Sequence, residues 1–376
     1  MKNQNSLSNP SYILDEERLI ENLRIIDNVR HQSGAEVIVA LKACAMWSIF
    51  PTLAKHSDGA TASSLAEARL VYEEYGSPAH TYAPVYTEEE IDEILSLSSH
   101  ITFNSLSQYH RFAKRAQAQG VSCGVRVNPR YSPVETDLYN PCVAGSRLGV
   151  PPEELTSLPE GVEGIHFHVL CESRSHHLRL ALEAVERYYG KLLPKLKWLN
   201  MGGGHLMTHA DYDTEELIDL LKSFKAKYPH LRLILEPGSA FTWRTGSLAA
   251  RIEDIVCNEG VKTAMLNVSF ACHMPDCLEM PYMPSIVGAR ETQSGERGWR
   301  LGGNSCLAGD FMGEWIFDKE PHVGMEILFE DMIHYTMVKT TMFNGVSHPS
   351  IAIRRVTGKV DIVREFGYED YKNRMS

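Results

Sequence analysis

Between about residue 35 and residue 238, short apolar runs alternate with amphipathic helical stretches, and this alternation limits the fold more than any other feature of the chain. The runs expected as strands are Val37–Ala43, Ala60–Ser63, Thr81–Val85, Ile101–Asn104, Cys123–Asn128, Ile165–Val169, Trp198–Met201 and Leu231–Leu235. Helix-like patterns separate them, among them Ser64-Leu-Ala-Glu-Ala-Arg-Leu-Val-Tyr-Glu-Glu-Tyr75 and Thr214-Glu-Glu-Leu-Ile-Asp-Leu-Leu-Lys-Ser-Phe224. In the second, Thr214 is the expected N-cap, with Leu217, Leu220, Leu221 and Phe224 on one face. Eight strand–helix units in this span fit a (β/α)8 TIM-type barrel. An open doubly wound sheet is the alternative, but no GxGxxG follows a first strand to support it.

After Pro237 the pattern changes. Leu248–Val256, Ala264–Phe270 and Met325–Phe329 read as strands separated by Gly- and Pro-containing stretches, which predicts a mainly β second domain. The strand-like Ser11-Tyr-Ile-Leu14 precedes the barrel and can join that domain. A chain of 376 residues suits two cores rather than one, and the expected division is a barrel over 20–238 and a β domain over 239–376 with 1–19. No apolar stretch approaches the ~20 residues of a membrane span. The first ten residues lack the hydrophobic core of a signal peptide, and the eight cysteines have no zinc-type spacing. The expectation is a cytoplasmic protein with reduced thiols. Net charge is −11 with no Lys/Arg run, so a polyanionic partner such as nucleic acid is not expected, and a cationic substrate is compatible.

In a barrel, functional groups gather at the carboxyl ends of the strands. Glu36-Val-Ile-Val-Ala-Leu-Lys-Ala43 places an ammonium near the end of an apolar, β-branched run. Burial penalises the charged form of lysine, and a neutral amine can attack a carbonyl to give a Schiff base. A lysine snorkelling to water or salt-bridged within a barrel is the other reading. His166 and His168 lie two apart in Gly164-Ile-His-Phe-His-Val169 and so share a face. A metal is not expected there, because no third ligand stands at suitable spacing. Gly202-Gly-Gly204 follows a strand, as either a flexible turn or a cradle whose N–H groups approach a phosphate. Glu236-Pro-Gly238 ends the last barrel strand with a carboxylate, a salt-bridge former or a site group. A Schiff-base lysine, a phosphate cradle, a ring-stacking histidine and a carboxylate for a pyridine nitrogen together match the needs of pyridoxal 5′-phosphate.

The ordered series Lys42, His168, Gly202–Gly204, Glu236-Pro-Gly238, Cys306 through Asp310 and Tyr335 resembles the fold-type III, alanine-racemase-like decarboxylases. The likeness is strongest to their carboxynorspermidine/carboxyspermidine branch. It rests on Ala40-Leu-Lys-Ala-Cys44, Glu236-Pro-Gly-Ser-Ala240, His273-Met-Pro-Asp-Cys-Leu-Glu-Met-Pro-Tyr282 and Gly303-Asn-Ser-Cys-Leu-Ala-Gly-Asp-Phe-Met-Gly313, and spans residue 10 to the C-terminus.

The resemblance implies that Lys42 carries the cofactor, His168 stacks on its ring and Glu236 bonds the ring nitrogen. It implies that Gly202, Gly203, Gly204, Gly238 and Tyr335 hold the phosphate. Cys306 would come from the neighbouring subunit and return a proton after CO2 loss, which implies a homodimer with composite active sites. Glu236, Asp276, Glu279 and Asp310 are the carboxylates that would face a substrate rich in ammonium groups. Asp276 and Glu279 also read as loop caps, Cys306 as a core thiol and Tyr335 as a packed aromatic.

Three departures from the ornithine and diaminopimelate enzymes stand out. Ser239 replaces the arginine after Glu-Pro-Gly, His168-Val-Leu-Cys-Glu172 replaces a small Gly/Ser turn, and Leu307 replaces the acid after the cysteine. They argue against ornithine and diaminopimelate and suit the carboxynorspermidine branch, whose resemblance implies decarboxylation of carboxynorspermidine and carboxyspermidine to norspermidine and spermidine. A diaminopimelate or basic amino acid decarboxylase is the first rival. An amino acid racemase would need a second base where Cys306 stands, and a non-catalytic pyridoxal-phosphate-binding protein would not need the second domain.

Overall fold

A computed structural model describes residues 10–279 and 282–376. The chain divides into two compact units, one of residues 22–241 and the other of residues up to 21 together with 242–376. The strand β1 (Ser11–Asp15) belongs to the second of these.

The first unit is a ring of parallel strands: β2 (Glu36–Val37), β3 (Val39–Ala40), β4 (Ala60–Ala62), β5 (Ala79–Tyr82), β6 (Ser98–Phe103), β7 (Ser122–Arg126), β8 (Gly164–His166), β9 (Trp198–Asn200) and β10 (Arg232–Leu235). Their order is β2-β10-β9-β8-β7-β6-β5-β4-β3. The segment 36–40 therefore pairs at both ends of the path, with β10 through β2 and with β4 through β3, and this closes the barrel. The single first strand expected over 37–43 is thus two short pieces. It also stops earlier, because residues 41–43 turn away, Ala43 N–H donating to the Ala40 carbonyl at 3.2 Å.

The floor of the barrel is packed by size complementarity. Trp198 is buried with its indole across β7 and β8, and a Cβ added to Gly164 would stand 1.9 Å from that ring, one added to Gly124 2.1 Å. Trp198 Nε1–H donates to Ser122 Oγ at 2.9 Å, so the one polar atom of the plug is satisfied.

Helices follow most strands. The segment expected as one helix over 64–75 is α-helical at Leu65–Leu70 and widens to a π-turn at Val71–Tyr75. The helix at Thr214–Lys227 is capped by Asp213 rather than by Thr214: the Asp213 carboxylate accepts from Glu216 N–H at 2.8 Å and meets the positive helix end. One connection lacks a helix. Residues 127–163 hold six prolines, each without an N–H to give a helix, and run as an irregular excursion tied back by a Val127–Val150 bridge.

The second unit is a mixed sheet of β1 with β11 (Gly246–Asn258), β12 (Val261–Leu266), β13 (Ala289–Glu291), β14 (Trp299–Gly302), β15 (Phe311–Phe317), β16 (Glu326–Glu330), β17 (Ser350–Arg354) and β18 (Val360–Arg364). β1 lies antiparallel to β11 and parallel to β17, so the N-terminal strand is central to this sheet. No helix among the described residues is long and apolar enough to cross a membrane.

Candidate active site

Tyr82, Arg126, His166, Asn200, Glu236 and Lys42 are polar side chains at carboxyl ends of the barrel strands. Tyr82, Arg126, His166 and Asn200 are the last residues of β5, β7, β8 and β9; Glu236 follows β10 directly and Lys42 lies two residues past β3. His168 joins them from beyond β8.

Lys42 Nζ is 3.3 Å from His168 Nε2. The Gly203 N–H donates to His168 Nδ1 at 3.0 Å, which places the proton of the neutral ring on Nε2. That N–H faces Nζ, an arrangement a neutral amine accepts and an ammonium does not. Burial lowers the Lys42 pKa; the Glu236 carboxylate works against this and the Arg126 guanidinium with it. Lys42 is exposed by surface area, yet the protein atoms around its amine penalise the charged form, and that penalty sets the direction. Burial also holds His168 and His166 well below the usual imidazole value, reinforced by Lys42 and Arg126.

Burial raises the Glu236 carboxyl pKa, and the Asn200 hydrogen bond is the first of the groups that pull it back. Asn200 Nδ2–H donates to Glu236 Oε1 at 2.6 Å while its Oδ1 accepts from Gly202 N–H at 2.8 Å. One amide thus couples the carboxylate to the glycine loop. Glu236 Oε2 stands 3.7 Å from His166 Nε2, and both His166 ring nitrogens are buried without a hydrogen bond.

The glycine triplet is required by close packing. Gly202 and Gly204 have φ of +67° and +88°, and a Cβ on them would meet the Phe167 and Leu170 carbonyl oxygens at 2.5 and 2.2 Å. Two of the three amides are used internally, by Asn200 and His168. The N–H groups of Gly204 and His205, and those of Gly238 and Ser239 on the adjacent loop, have no acceptor among the described residues. The two loops run together, Glu236 N–H donating to the Gly202 carbonyl at 2.7 Å and Thr208 Oγ1 to the Ala240 carbonyl at 2.8 Å. A phosphorylated pyridine aldehyde fits this donor set. Lys42 offers an amine whose pKa burial lowers, Glu236 a carboxyl group, His168 a ring, the orphaned His166 a polar neighbour and the paired loops free N–H groups.

Arg126 is the residue that sequence reasoning missed most plainly. It is 4% exposed, and its Nη1–H and Nη2–H donate to Tyr82 Oη at 2.7 Å and to the His168 carbonyl at 3.1 Å. Its signal was the one that marked Lys42: a cation at the end of an apolar run, Cys123-Gly-Val-Arg-Val127. Asn200 and Tyr82 carried no such mark.

The other expected site residues lie in the second unit. Asp276 and Glu279 both pair with Lys339 Nζ. Asp310 is buried and bonded to backbone and hydroxyl donors rather than to a cation. Cys306 is exposed, and its N–H donates to Asn344 Oδ1 at 2.7 Å. Tyr335 has a left-handed backbone, φ 52°, in a turn where its carbonyl accepts from Val338 and Lys339 N–H.

The sequence profile described as pyridoxal-dependent decarboxylase, pyridoxal binding domain, matches residues 21–243. A carboxyaminopropylagmatine decarboxylase of Synechocystis sp. is 51% identical, over 98% of this chain and 96% of that protein. A carboxynorspermidine/carboxyspermidine decarboxylase of Campylobacter jejuni is 40% identical, with 98% of each chain covered. The crystal structure of carboxynorspermidine decarboxylase complexed with norspermidine, also from Campylobacter jejuni, has a TM-score of 0.90 at 39% identity, covering 98% of this chain and all of that one.

Proposed function

Since the chain belongs to the pyridoxal-dependent decarboxylase family, we propose that it removes the α-carboxylate of a carboxylated polyamine, with pyridoxal 5′-phosphate as cofactor. The substrates are carboxynorspermidine and carboxyspermidine, and the products norspermidine and spermidine. The observation that carries this reading is near-full-length similarity, at 40% and 36% identity, to enzymes named for carboxylated polyamines.

Lys42 would hold the cofactor through its amine, whose pKa burial lowers, and His168 would pack on the ring. Glu236, steadied by Asn200, would bond the ring nitrogen of the cofactor and keep a proton on it. The phosphate meets the glycine triplet, Gly238 and Tyr335; the unbonded N–H groups of Gly204, His205, Gly238 and Ser239 support a cradle of neutral donors in place of an arginine. Bound there, the cofactor supplies the electron sink for the pair left behind as CO2 departs. Cys306 Sγ then delivers a proton to the α-carbon.

Asp276 and Glu279 face the ammonium groups of the substrate. Together with Lys339 they carry one net negative charge, which suits a single ammonium at that point. A homodimer with Cys306 reaching the partner's site is supported by its exposure beside half-exposed Leu307 and Phe343, apolar groups that a partner surface would cover. Eight cysteines present as thiols support a cytoplasmic location.

A second reading is favoured by the 51% identity: the terminal amine of the substrate is replaced by the guanidine of carboxyaminopropylagmatine. The test is CO2 release by the cofactor-loaded protein from the three carboxylated polyamines, diaminopimelate and ornithine. Both readings expect the polyamines to lead by orders of magnitude in kcat/KM, and the ranking among them decides between the two. Faster turnover of diaminopimelate or ornithine than of all three would overturn both.

A further inference from the structure

Cys306 stands in the turn between β14 and β15, and that turn is held from two directions. The first is Asp310, only 4% exposed. Its Oδ2 accepts from Ser305 N–H at 3.1 Å and from Ser305 Oγ–H at 2.6 Å, and its Oδ1 from Ala271 N–H at 3.1 Å. The backbone of the same residue closes the turn: its carbonyl accepts from Gly303 N–H at 2.7 Å, and its N–H donates to the Leu307 carbonyl at 2.9 Å. Gly303 is needed for this, because a Cβ there would stand 2.3 Å from the Asp310 carboxylate. The turn carrying the thiol is thereby tied to the short helix Phe270–His273 through Ala271.

The second direction is Asn344, whose Oδ1 accepts from the Cys306 N–H itself at 2.7 Å. Asn344 has φ 57°, a left-handed conformation that asparagine tolerates better than most residues but that surrounding structure must still enforce. A carboxylate that is buried and already accepts three hydrogen bonds has little capacity left for a substrate ammonium.

We propose that Asp310 and Asn344 are positioning residues for Cys306, and that Asp310 acts through the turn rather than by binding substrate. The proposal rests on the reading of Cys306 as proton donor.

The test is a double-mutant cycle on the full-length, cofactor-loaded protein with carboxynorspermidine. Asp310→Asn and Asn344→Gly are made alone and with Cys306→Ala. Each single variant is expected to lose about tenfold in kcat with KM within about twofold, and to lose nothing further in the Cys306→Ala background. In D2O, both single variants should also lose the one-sided placement of deuterium at the product carbon. A KM raised about fivefold or more in Asp310→Asn, or losses that multiply in the double variant, would overturn the proposal in favour of direct substrate binding.

Alkylation of the Cys306 thiol by iodoacetamide, read by peptide mass, reports its placement independently of turnover. A change of about threefold or more is expected in both single variants, and an unchanged rate overturns the proposal. Full activity of Cys306→Ala, by contrast, would sink the proton-donor reading itself. Ser305→Ala removes one hydrogen bond and leaves the carboxylate in place. It serves if Asp310→Asn does not fold, with the same direction expected at smaller size.

Discussion

Replacing Asn200 by alanine deletes two buried hydrogen bonds at once, the 2.6 Å bond to Glu236 and the 2.8 Å bond from Gly202 N–H. A hydrogen bond to a charged group contributes roughly 1.5–3 kcal/mol and a neutral one roughly 0.5–1.5, so about 3 kcal/mol should be lost. For a unit of this size each kcal/mol moves the melting temperature by roughly 2–4 °C, giving a fall of about 6–12 °C by circular dichroism. Asn200→Asp isolates the carboxylate arm. It keeps an acceptor for Gly202 N–H but sets a second carboxyl against Glu236, whose pKa burial already raises. At high pH both are charged and repel, while at lower pH one takes a proton and the bond between them is restored. The stability deficit of Asn200→Asp should therefore shrink as pH falls from the alkaline side, because one of the two carboxyls takes up the proton. A melting temperature for Asn200→Ala within ~2 °C of the parent, or a deficit for Asn200→Asp that grows as pH falls, would refute the coupling.

Three further expectations concern the barrel unit. His80, His166, His168 and His205 all have pKa values lowered by burial, His205 to about 4, so the unfolded chain binds protons that the folded barrel refuses. Their stabilising contribution is full above the unfolded value of ~6.5 and is lost as pH falls from there, at up to about 1.4 kcal/mol per pH unit for each. Glu236 and Glu67, with raised values, offset part of this below the same range, so the urea midpoint should drop from about pH 7.5 to about pH 5.5. An unchanged or rising midpoint would contradict it. Gly203→Ala puts a Cβ 2.4 Å from the Glu236 carbonyl oxygen and should weaken pyridoxal-phosphate binding by about tenfold or more in equilibrium dialysis. Gly164→Ala drives a methyl into Trp198 on the opposite floor; it should lower the melting temperature and leave cofactor affinity within about twofold, and the reverse pattern would invert our assignment of the two ends.

The barrel was legible because short, mostly apolar runs alternate with amphipathic helical stretches, a pattern that survives without tertiary information. Its closure was not: nothing local says that residues 36–40 serve two neighbours, or that the prolines of 127–163 replace a helix by an excursion. Lys42, His168 and Glu236 could be found as polar residues where strands end. Arg126 offered the same cue in a weaker run. Asn200 did not, since a strand-end asparagine is common and its role depends on Glu236, 36 residues away. The partnership of Lys339 with Asp276 and Glu279 was likewise invisible, for it joins residues 60 and more apart on separate short helices.

The central claim is that the amine of Lys42 anchors the cofactor. Borohydride reduction of the pyridoxal-phosphate-loaded protein, followed by peptide mass spectrometry, tests it directly. The account predicts one stoichiometric adduct, on the peptide containing Lys42, and no visible absorption band in Lys42→Ala. An adduct on another lysine, or a Lys42→Ala protein that keeps the band and turns over normally, would contradict it.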